Sequence, residues 1–139
     1  MPFPVEERFV RVTEEKLEVR FPSSFVAKML DENGGEVEAG PSGTVWCWQL
    51  FPFLDASNKK RLSRTCNDIV RETRESRKWP GFPPDAIAIG SMDADRLIFL
   101  RKIDRPDELG EAVYWWDHET GAVEKIAEDF SEIQSRGSV

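Results

Sequence analysis

A chain of 139 residues, 40% hydrophobic and 32% charged, has enough apolar mass for one buried core, which argues against disorder and against several domains. Its formal charge of −7 disfavours nucleic-acid phosphate as the main partner and favours a basic one, with plain solubility as the alternative reason. No segment approaches the ~18 apolar residues of a membrane span, and MPFPVEERF has neither the basic nor the apolar region of a secretory leader, so a cytoplasmic location without membrane partners is expected.

Thr13 followed by Glu14 and Glu15 predicts a helix start, a hydroxyl cap with acids in the first turn. Arg20-Phe21-Pro22 ends that helix, and Pro22 opens a second one with Phe25, Val26, Met29 and Leu30 as its apolar stripe. Asn33-Gly34-Gly35 stops it. The two glycines follow a helix rather than precede one, so they are a C-terminal cap and not a phosphate loop. Thr44 to Leu50 predicts a strand with Thr44, Trp46, Trp48 and Leu50 on one face and Val45, Cys47 and Gln49 on the other, closed by Pro52.

Leu62, Cys66, Ile69, Val70 and Thr73 recur at helical spacing and predict one amphipathic helix from about Leu62 to Lys78. Its polar face carries Arg61, Arg64, Arg71, Arg74, Arg77 and Lys78, with Asp68, Glu72 and Glu75 interleaved. That mixture reads as a solvated face rather than a grip on nucleic acid or membrane. Ile87 to Ile89 and Arg96 to Leu100 read as short strands around a turn from Gly90 to Asp95, the second strand being apolar on both faces and therefore central. Ala112 to Trp116 is a strand, Asp117 to Gly121 a reversal, Val123 to Ile126 a second strand, and a last helix starts near Ala127 with Phe130 and Ile133 facing the sheet. The sum is an α+β fold, a mostly antiparallel sheet flanked by helices, forming a single domain over 1–139 with 135–139 as a flexible tail.

The chemistry is sparse. His118 is the only histidine, and Asp117, His118 and Glu119 point in different directions at a strand end, so a turn role is expected and a metal site is not. Asp93 and Asp95, with Glu111 or Asp104, offer oxygen ligands but lack the remaining acceptors of a calcium loop. One histidine and no nucleophile elbow leave no assembled catalytic group, so no enzyme activity, metal or cofactor is expected. Cys47 and Cys66 lie in apolar patterns without zinc spacing and read as buried reduced thiols. Five tryptophans and nine phenylalanines include neighbours on opposite strand faces, Trp46 with Cys47 and Trp115 with Trp116. A sheet packed on one side leaves one of each pair partly exposed, whereas helices on both faces cover them; exposed aromatics ringed by acids suit a protein–protein contact. On charge and aromatic placement, Glu36, Glu38, Trp46, Asp93 and Asp95 are the expected partner-binding residues.

Several of these stretches carry a family likeness. Glu14, Leu17 and Arg20-Phe21-Pro22, then Phe25 to Leu30 with Asn33-Gly34-Gly35, resemble the opening of the SUKH superfamily of bacterial toxin-immunity proteins and fungal cell-wall-synthesis regulators. Ile87-Ala88-Ile89-Gly90, Val113 to Glu119, and Ile126-Ala127 with Phe130 and Ile133 resemble its later strands and its closing helix. The chain departs at Glu18, where the family often has glycine, and at Ser91 to Arg96, where its glycine-rich turn has none. The resemblance implies a non-enzymatic binder held in the cytoplasm, most often an immunity protein against a cognate protein toxin, commonly a nuclease. The other readings are a regulatory scaffold docking onto a cellular enzyme and a metal-dependent hydrolase using the acidic turns.

Overall fold

Phe9, Val10, Thr13 and Leu17 recur at helical spacing, and the first helix, α1, spans Glu7–Leu17 with Val10, Thr13 and Leu17 buried. Thr13 is therefore not a cap. The apolar pair Phe9 and Val10 extends the helix a turn and a half upstream of the expected start. A second helix, α2, covers Ser23–Asp31 after Pro22 as expected, and buries Phe25 and Met29. The computed structural model describes residues 3–40, 44–93, 95–105 and 107–135.

After α2, Gly34 and Gly35 adopt φ values of 107° and 86°, conformations open to glycine, and turn the chain directly into strand β1, Gly35–Ala39. The sequence reading contained no strand here. β2, Trp46–Leu50, pairs antiparallel with β1, placing Glu36 opposite Gln49 and Glu38 opposite Cys47. The long helix expected over 62–78 is two helices, α3 at Lys59–Arg64 and α4 at Ile69–Ser76. Asn58 caps α3 by accepting from the Arg61 amide at 2.9 Å. Thr65 ends it, its Oγ1 donating to the Arg61 carbonyl at 2.8 Å while accepting from the Asp55 amide at 2.9 Å. The break leaves Leu62 45% exposed and Cys66 exposed, with Cys47 half-buried. Neither thiol forms a disulfide, and neither is the buried core residue that its apolar setting suggested.

β3 spans Ala86–Asp93 and β4 Arg96–Arg101. Residues 90–93, expected as turn, are strand, and of the rest of that turn Ala94 lies outside the described residues. Gly90 is there for space: a Cβ would meet the Gln49 carbonyl at 2.9 Å and Ile98 at 3.2 Å. β5, Val113–Asp117, and β6, Val123–Ala127, form the expected hairpin. The closing helix is only a 3₁₀ turn, Phe130–Glu132, because β6 continues through Ala127 and a reciprocal cap between Asp129 and Glu132 fixes a tight corner. β7, Gln134–Ser135, then pairs with β1; of the expected tail, 136–139 lies outside the described residues.

The seven strands run β6-β5-β4-β3-β2-β1-β7, each pair of neighbours antiparallel. The fold is thus α+β, an antiparallel sheet with helices. α4 packs on β3 through Thr73, whose Oγ1 accepts from the Ala88 amide at 3.0 Å. The β2–β3 ladder has only two pairs, Gln49 with Ser91 and Leu50 with Gly90, so Thr73 satisfies a backbone donor that β2 has left behind. Among the described residues no helix is long and apolar enough to cross a membrane.

Candidate partner-binding face

Directly opposed residues of antiparallel neighbours share a face. Register therefore aligns one row across six strands: Glu36, Gln49, Ser91, Leu97, Trp116 and Val123. Glu38 and Cys47 lie on the same face one pair further along, and the Cys47 Sγ sits 3.4 Å from Glu36 Oε2. On the opposite face, Trp46 is half-buried, its ring 6.0 Å from that of Trp48 and 5.1 Å from that of Trp115.

The five expected contact residues are thus only partly brought together. Glu36 and Glu38 share the row's face. Asp93 ends β3 beside a cavity on that face, its carboxylate 3.7 Å from Arg96. Trp46 points the other way and meets this group only through the Arg96 guanidinium, 5.3 Å from its ring. Asp95 lies at the β3–β4 tip, where its amide donates to Asp93 Oδ1 at 2.8 Å and its carboxylate is 3.6 Å from His118 Nδ1. The His118 amide donates to the Asp95 carbonyl at 2.7 Å, so the two hairpin tips are joined. Asp117 accepts from the Glu119 amide at 2.9 Å, the turn role read from the sequence.

Trp115 and Trp116, on opposite faces, are both buried, so neither is the exposed aromatic the doublet suggested. The exposed one is Trp79, which follows α4 and stands 47% exposed with its ring 4.0 Å from His118. Sequence reasoning passed over it; its signal is an aromatic set between Lys78 and Pro80 in a turn. Together with Phe51, Ser76 and the row residues Ser91, Leu97 and Trp116, it encloses a cavity of about 340 Å³ into which Glu72, Glu75 and Asp93 also face. Burial raises the Glu72 carboxyl above its ordinary range, an effect that the neighbouring Arg71 charge partly offsets. Among the described residues no group of three or more His, Cys, Asp or Glu side chains is placed to hold a metal ion. The arrangement gathers carboxylates and aromatic rings around one cavity.

The sequence profile of the SMI1 / KNR4 family (SUKH-1) matches residues 4–136. No curated protein and no solved structure is a significant match to the chain.

Proposed function

The chain belongs to the SMI1 / KNR4 family (SUKH-1), which makes it a binding module of the toxin-immunity or regulatory kind, and from that premise we propose that it is an immunity protein. It binds a cognate protein toxin, most simply a nuclease, in the cytoplasm and without turnover or bound nucleic acid of its own. The observation that carries this reading is the carboxylate-bearing sheet face, with Glu36 and Glu38 on the same face as the acid-lined cavity at Asp93, on a chain of net charge −7. A nuclease needs a basic groove for its phosphate substrate, and a rigid acidic face occludes that groove while steering the encounter.

A toxin gene immediately beside this one is expected, and the test uses the toxin domain of that gene's product. Mixing the two purified proteins should abolish nuclease activity, with association that slows as salt rises. Reversing charge with Glu36→Lys and Glu38→Lys together should slow association by about tenfold or more without changing thermal unfolding. Undiminished nuclease activity in the presence of excess wild-type protein would overturn the proposal.

A further inference from the structure

We propose that the cavity between α4 and the β3–β4 hairpin receives a single arginine side chain of the protein partner. The inference rests on the protein-binding reading above and names the chemistry of one contact. Three carboxylates face this cavity, Glu72, Glu75 and Asp93, and among the described residues no lysine or arginine lines it. Glu75 is engaged by Lys78 at 3.2 Å and Asp93 by Arg96 at 3.7 Å, both surface pairs that exchange partners at little cost. The half-buried Glu72 carboxylate makes no ion pair or hydrogen bond among the described residues, and the neighbouring Arg71 charge offsets its burial only in part. A half-buried carboxylate so incompletely compensated favours the arrival of a further cation.

The walls narrow the choice of cation. Trp79, His118 and Trp116 form a continuous run of ring contacts, edge-to-face with centroids 4.0 Å apart and then tilted at 5.6 Å, that ends in the exposed Trp79 indole. A guanidinium is planar and weakly hydrated, so it stacks on such a wall while its fork of N–H groups reaches the carboxylates; an ammonium does neither as well. Trp116, whose buried indole N–H has no acceptor among the described residues, lines the cavity's inner wall.

The probe is the blocked tripeptide acetyl-Gly-Arg-Gly-amide, titrated into the full-length, isotope-labelled chain, with the citrulline peptide as the neutral isostere. Saturable shifts of the Trp79 and Trp116 indole N–H signals are expected, with affinity at least about tenfold weaker for citrulline. Glu72→Gln should weaken arginine binding about fivefold or more with unchanged or higher thermal stability, and Trp79→Ala, at an exposed site, should do likewise. Absent shifts, equal binding of citrulline, or shifts confined to other residues would overturn the assignment. If the peptide fails while the toxin is still neutralised, this inference falls and the proposed function stands. If the peptide binds here and no toxin is neutralised, the cavity assignment stands and the immunity reading falls.

Discussion

Asn33 ties the end of α2 to a segment twenty residues further on. Its Nδ2 donates to the Phe53 carbonyl at 2.9 Å, its Oδ1 accepts from the Phe53 amide at 2.8 Å, and its own amide donates to the Phe3 carbonyl at 2.9 Å. The side chain thus acts as a strand partner for one buried residue, Phe53, whose ring touches those of Phe21 and Phe25. Asn33→Ala should cost about 2–4 kcal/mol in chemical denaturation, because it strands a buried donor and a buried acceptor together. Asn33→Asp, which sets a buried carboxylate oxygen against the Phe53 carbonyl, should cost at least as much; an alanine variant as stable as wild type would show that water replaces the clamp. The helix stop was legible at Asn33-Gly34-Gly35, since glycine and asparagine announce it locally. The clamp was not, because its partner is distant in sequence and nothing in Phe53 signals the pairing.

At the scale of elements, local patterns misled where a side chain cut a periodic run. Ile69, Val70 and Thr73 do form one buried face, but Thr65 ends the preceding helix by bonding backward to Arg61 and across to Asp55, and periodicity carries no trace of that. The corner after β6 is the other case, and it has a pH signature. A hydrogen bond from Glu111 to Asp129, followed by the Ser131 amide, holds the Asp129 carboxyl down at about 2, while the same bond raises Glu111. Asp129, depressed, contributes stability that is present above its unfolded value and lost as pH falls through about 2. Glu111, raised, contributes stability that is present at low pH and lost as pH rises through its folded value. The two carboxyls share one proton best between these limits. Relative to Glu111→Ala, the wild type should therefore gain most near pH ~4, where unfolded carboxyls titrate, and less at pH ~2 and pH ~7. Glu111→Gln, which donates without needing a proton, should carry that advantage to neutral pH. Parallel stability curves for all three proteins would show that the pair is too solvated to matter.

The whole molecule is built on one sheet in which the last strand, β7, pairs with the first, β1. Apolar and alternating runs identified β2, β4, β5 and β6, and β3 over 87–89 only, and hence the fold class, from sequence. β1 and β7 went unread because Gly35–Ala39 follows a helix stop and carries two acids, while Gln134–Ser135 is too short to show any alternation. They matter to the candidate site nonetheless. β7 pairs with β1 at Glu38 opposite Gln134 and Val37 opposite Ser135, so the strand presenting Glu36 and Glu38 is an inner strand rather than an edge. An edge strand frays and invites pairing with other chains, whereas an inner strand is held on both sides. A chain ending at Ile133 should keep its fold, since the core rows in β3, β4 and β5 are untouched. Its β1 amides should exchange with solvent about tenfold faster or more, while those of β4 and β5 stay protected. Toxin association should weaken with it, because Glu36 and Glu38 would then sit on a mobile strand and pay an ordering cost on binding. Unchanged β1 exchange in the shortened chain would mean that β2 alone holds the acidic strand in place.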